Sequence, residues 1–77
     1  MYDYLKRMYD LLNELIQFNA KQNTNYDVGY IKSWILLCRE EEIPPNEFYA
    51  TLEHEYNYYK LSNNEVYHTI AMMLIYC

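Results

Sequence analysis

The sequence predicts an all-α domain, a compact bundle of four short helices over about residues 2–20, 26–42, 45–60 and 63–76. Three observations predict it. Apolar residues recur at steps of three and four in four separate segments. Short polar or proline-bearing breaks separate those segments. No segment shows a convincing period-two alternation, and there is no Asn-Gly hairpin signal. Short connections favour antiparallel neighbours, which makes a bundle the simplest architecture. Seventy-seven residues make one domain, residues 1–77, because so short a chain cannot divide into two cores.

In the first segment Met1, Leu5, Met8, Leu12 and Leu15 form one helical face. Tyr4, Leu11 and Phe18 flank it on one side, and Tyr2, Tyr9 and Ile16 on the other. So wide an apolar arc places this helix centrally in the bundle or against another chain. It is expected to end near Ala20, where Lys21-Gln22-Asn23-Thr24-Asn25 reads as a loop. Asn25 and Asp27 are both good N-caps for the second helix. There Val28, Ile31, Ile35 and Cys38 make the stripe, widened by Trp34 and Leu37. Gly29, the single glycine, sits in the first turn, where it suits close approach of another backbone. Ile43-Pro44-Pro45 ends this helix, since proline disfavours helical geometry in the residue before it.

Pro45 is suited to the first turn of the third helix. Its stripe is Phe48, Leu52, Tyr56 and Tyr59, with Tyr49 and Glu55 beside it. Ser62 and Glu65 have capping-box spacing for a fourth helix. In it Val66, Ile70, Met73 and Cys77 share a face. The chain ends on apolar residues, so the last helix is expected to dock in the core or in a dimer interface. Met1, Met8, Met72 and Met73 are expected to fill gaps in that core.

Hydrophobic residues make up 52% of the chain, yet its mean hydropathy is −0.44. Tyrosine explains much of the conflict: there are eleven, each with a large ring and a hydroxyl that needs a partner or water. So many do not fit in a small core, and several are expected at the surface. Cys38 and Cys77 do not resemble the dense disulfide framework of small secreted domains. They read as reduced thiols of a cytoplasmic protein, with Cys38 a small core residue. The longest apolar run, residues 70–77, falls far short of the roughly 20 that a membrane span requires. The charged N-terminus does not resemble a signal peptide.

The net charge of −5 is unevenly distributed. Residues 1–39 are close to neutral, whereas residues 40–77 hold Glu40, Glu41, Glu42, Glu47, Glu53, Glu55 and Glu65 against Lys60 alone. This disfavours direct nucleic-acid binding, which draws most of its non-specific affinity from Lys and Arg on phosphate. It favours a basic partner surface or, more blandly, solubility.

Motifs for catalysis are weak. Glu65-Val66-Tyr67-His68 has the Glu-x-x-His spacing of di-iron bundles. Such sites need that motif twice, and the residue three before His54 is Thr51. Ser33 and Ser62 lack a glycine-flanked elbow. A chain with one glycine has no phosphate-cradling loop. No enzyme activity, cofactor or metal is expected.

The stronger lead is aromatic and acidic. Tyrosine is enriched at binding hot spots, and acidic neighbours steer basic partners. The expected partner-binding set is Glu40, Glu41, Glu42, Glu47, Tyr49, Glu53, His54 and Tyr58, with Phe48, Tyr56 and Tyr59 turned inward. The expected partner is a larger protein with a basic surface, for example a nucleic-acid-binding protein, with no direct nucleic-acid or membrane contact; a homodimer through the apolar first or last helix is a further expected association. Small acidic domains of this composition fit phage- or mobile-element-encoded inhibitors of host machinery, including anti-CRISPR proteins that occlude a basic groove. An immunity protein or antitoxin would use the same chemistry. A helix-turn-helix regulator is disfavoured, because neither Lys nor Arg follows Lys60.

Overall fold

The computed structural model describes residues 2–61 and 65–77, and within them it has four helices and no strand. They are α1 (Asp3–Gln22), α2 (Val28–Glu41), α3 (Pro45–Tyr59) and α4 (Glu65–Tyr76). The Cα radius of gyration is 12.0 Å. A compact chain of this length is expected near about 11.5 Å. The expected four-helix bundle is therefore present. The capping box at Ser62 and the place of Met1 in the first stripe lie outside the described residues.

Local chemistry sets the helix ends. α1 runs two residues beyond Ala20 because Asn23, in the left-handed region at φ 54°, provides its C-cap. Asn19 then reaches forward and holds the loop. Its Nδ2 donates to the Tyr26 carbonyl at 3.0 Å, and its Oδ1 accepts from the Tyr26 N–H at 3.1 Å and from Thr24 Oγ1 at 2.8 Å. Of the two N-cap candidates for α2, Asp27 takes the role, accepting from the Tyr30 N–H at 3.1 Å.

Gly29 does not admit another backbone. The nearest atom to a Cβ built there is Asp27 Oδ1, at 3.2 Å, so this glycine leaves room for the capping carboxylate. The end of α2 also differs from the proline-driven reading. Glu42 itself turns left-handed at φ 49°, and its N–H bonds back to the Cys38 carbonyl. Pro44 and Pro45 follow, with Pro45 opening α3 at its first turn.

The core is one cluster fed by every helix. Tyr4, Leu5, Met8, Leu11 and Leu15 come from α1, and Ile31, Trp34, Ile35 and Cys38 from α2. Phe48 and Leu52 come from α3, and Ile70 and Met73 from α4, with Cys77 just beyond. Its centre is aromatic: the Tyr4 ring stacks on Phe48 at 4.1 Å, and Trp34 meets Phe48 edge-on at 5.7 Å.

Two helix faces are rotated relative to the sequence reading. In α1 Leu11 and Tyr4 are buried while Leu12 is half-buried, and the Tyr4 side of the helix meets Phe48 of α3 and Ile43. In α2 Leu37 is 48% exposed and does not widen the stripe. It stands about 100° around the helix from Cys38, on the outward side. Nor is α1 the central helix. α4 packs on each of the other three, as its composition permits, since its one carboxylate is Glu65 and it has neither Lys nor Arg.

The last helix is docked as expected, and with unforeseen polar help. Thr69 is fully buried; its hydroxyl donates to the Glu65 carbonyl at 2.8 Å and accepts from the Asp27 N–H at 3.1 Å. That bond ties the start of α4 to the start of α2. At the other end the Tyr49 hydroxyl donates to the Cys77 carbonyl, and Arg7 Nη1 reaches the same oxygen at 3.5 Å. Burial pushes the Cys77 thiol up to about 11, the nearby Arg7 charge opposing it.

Candidate functional site

Of the eight candidate binding residues, Glu40, Glu41, Glu42, Glu47, Glu53, His54 and Tyr58 are exposed. Tyr49 is not an outward residue. It is half-buried against the core, its ring meets Phe48 at 5.1 Å, and its hydroxyl is committed to Cys77. The helical turn explains this: Tyr49 follows Phe48, so its ring can lean onto the α3–α4 seam.

The remaining seven fall into two groups that share Glu47. The first is the corner between α2 and α3. Glu40 and Glu41 end α2, Glu42 caps it, and Glu47 lies in the first turn of α3. The hydroxyl of buried Tyr4 donates to the Ile43 carbonyl and so pins this corner to the start of α1. Burial raises the Tyr4 phenol, and charge at Cys38, Tyr2 and Glu47 adds to the effect.

The corner's charges are unequally placed. Glu47 is favoured at a helix N-terminus, but the three glutamates at the C-terminal end of α2 oppose the helix dipole. Beside them is an open depression of about 520 Å³ lined by Tyr2, Leu5, Cys38, Arg39 and Glu42. Arg39 is turned toward α1, its Nη1 donating to the Tyr9 hydroxyl at 2.9 Å. Burial pushes the Cys38 thiol up, with the Tyr4 hydrogen bond opposing it, so this sulfur is a core atom and not an activated nucleophile.

The second group is the outer face of α3. At 100° per residue, Glu47, His54 and Tyr58 lie close to one line along the helix, spanning about 16 Å. Glu53 stands about 100° from His54, on the Tyr49 side. Tyr58 is 72% exposed. The structure joins His54 and Tyr58 to two residues outside the expected set, Glu55 and Tyr59, around a smaller depression of about 270 Å³. A signal for these was present in the sequence: Glu55 precedes Tyr58 by three residues and Tyr59 by four, the spacings that meet on a helix surface.

The Glu65–His68 pair, with its di-iron spacing, is engaged elsewhere. Glu65 Oε1 accepts from Asn25 Nδ2 at 2.8 Å. The His68 ring meets Tyr26 at 5.9 Å and Tyr67 at 5.3 Å, both edge-on. Among the described residues, no group of three or more His, Cys, Asp or Glu is placed to hold a metal ion. Among the same residues, no helix is long and apolar enough to cross a membrane.

Comparison with known proteins returns no match: no family model fits the chain, and no curated protein or solved structure resembles it significantly.

Proposed function

We propose that this protein is a small interaction module that occludes a basic surface on a larger protein, in the manner of a phage- or mobile-element-encoded inhibitor of a host factor. The observation that carries the reading is the acidic corner. Glu40, Glu41 and Glu42 are all exposed at the end of a helix where negative charge lowers stability. A charge arrangement that costs stability is expected where function uses it. Glu47 and the exposed Tyr58 extend the same acidic and aromatic surface along α3. Acidic groups speed encounter with a basic partner, and an aromatic ring supplies contact area at low entropic cost.

The test is capture from the native host by the intact protein, compared with a Glu40→Lys/Glu41→Lys/Glu42→Lys variant. A basic partner that is retained by the wild type, lost from the variant and released steeply as salt rises supports the reading. A partner held equally by both proteins refutes it, as does recovery of nucleic acid alone.

A further inference from the structure

We propose that the depression formed by His54, Glu55, Tyr58 and Tyr59 is a receptor for one cationic side chain, an arginine of the basic partner. The inference rests on the reading above and assigns the partner's anchor. The Tyr58 and Tyr59 rings lie 4.8 Å apart at 78°, so two aromatic walls meet nearly at a right angle. The Glu55 carboxylate sits one helical turn before both rings. Aromatic faces attract cations, and a carboxylate beside them supplies the counter-charge. Among the described residues, neither Lys nor Arg lines the depression.

Size and geometry select the ligand class. About 270 Å³ is below the range of pockets that enclose whole small molecules, roughly 300–1,000 Å³, and suits a single side chain entering from outside. Arginine fits better than lysine. Its flat guanidinium stacks on a ring while its fork reaches a carboxylate, whereas an ammonium is a compact, strongly hydrated charge.

Glu55 is half-buried, and its charge acts on Tyr30 of α2. The Tyr30 phenol is pushed up to about 12, first by burial, with its Trp34 contact opposing and the Glu55 charge and hydrogen bond reinforcing the rise.

The experiment titrates the isotopically labelled full chain with a blocked glycine-rich peptide carrying one arginine, followed by nuclear magnetic resonance. The lysine and citrulline versions of the peptide serve as comparisons. The expected result is a saturable set of shifts centred on His54, Glu55, Tyr58 and Tyr59, strongest for arginine, weaker for lysine and absent for citrulline. Tyr58→Ala should weaken the arginine peptide about two- to fivefold, the range of an exposed cation–π contact. Glu55→Gln should also weaken it. Tyr58 is exposed, so its removal leaves the fold intact and keeps the test valid if Glu55→Gln disturbs Tyr30. Equal binding of arginine and citrulline peptides, or unchanged binding by both variants, overturns the proposal. Arginine-specific shifts confined to the corner around residues 40–47 overturn it too, while leaving the acidic-surface reading standing. That broader reading fails separately, through capture by the triple-lysine variant.

Discussion

Replacing Glu42 by glycine should make this protein more stable. Glu42 holds a left-handed conformation at φ 49° while capping the C-terminal end of α2. A non-glycine residue there carries roughly 1–2 kcal/mol of steric cost, which glycine does not. Its negative charge also stands at the C-terminal, negative end of the helix dipole, at a cost of about 0.3–1 kcal/mol. Against these gains, glycine adds unfolded-state entropy of about 0.4–1 kcal/mol. The net expectation is a stabilisation of about 1 kcal/mol. For a domain of this size that raises Tm by roughly 4–8 °C.

Glu42→Gln separates the two contributions. It removes the charge and keeps the strained backbone, so it should recover the smaller, salt-sensitive part alone. Thermal unfolding followed by circular dichroism, at low and high salt, measures both variants. A Tm for Glu42→Gly at or below wild type would refute the strain argument. A Glu42→Gln variant identical to wild type at low salt would refute the dipole argument, and with it the claim that the acidic corner is maintained at a cost.

Two further outcomes follow from buried polar groups. Thr69→Val keeps the side-chain shape but leaves the Asp27 N–H without its acceptor. It should cost about 1–3 kcal/mol in urea unfolding, with Thr69→Ser closer to wild type; a Thr69→Val midpoint equal to wild type would show that this bond does not secure α4. Stability should also fall in alkali. Tyr30 and Cys77 are raised in the folded state to about 12 and about 11, and Tyr4 is raised as well. The folded protein thus holds these protons more tightly than the unfolded chain. Their contribution is complete below the unfolded values, about 9 for the thiol and about 10 for the phenols, and disappears as pH rises through the folded ones. Urea midpoints measured across this window should decline together with a delayed rise of tyrosinate absorbance. Tyrosines that ionise near pH 10 with unchanged midpoints would contradict the assignment.

The helices were legible because the signals that make them are local. Steps of three and four in the apolar residues, the Asp27 cap and the Pro45 start lie within a few residues of one another and act through backbone chemistry. The direction of Tyr49 was not legible. Whether that ring points outward or onto Cys77 depends on where α4 lies, and the two residues are 28 positions apart. Leu37 illustrates the same limit, since an apolar residue at the border of a stripe is buried only if a neighbouring helix covers that border. Glu55 and Tyr59 could have been paired by spacing, but the depression they line with His54 and Tyr58 required coordinates.

By itself, then, the sequence determined four helices, the acidity of residues 40–65 and a surfeit of tyrosine too large for the core to absorb. Tertiary structure decided which tyrosines serve the interior, that α4 lies at the centre of the bundle, and that Thr69 secures it to α2. The physical reason is range. Helix formation is settled by neighbours along the chain, whereas burial of a half-apolar ring or a single hydroxyl is settled by elements distant in sequence that meet only once the bundle has closed.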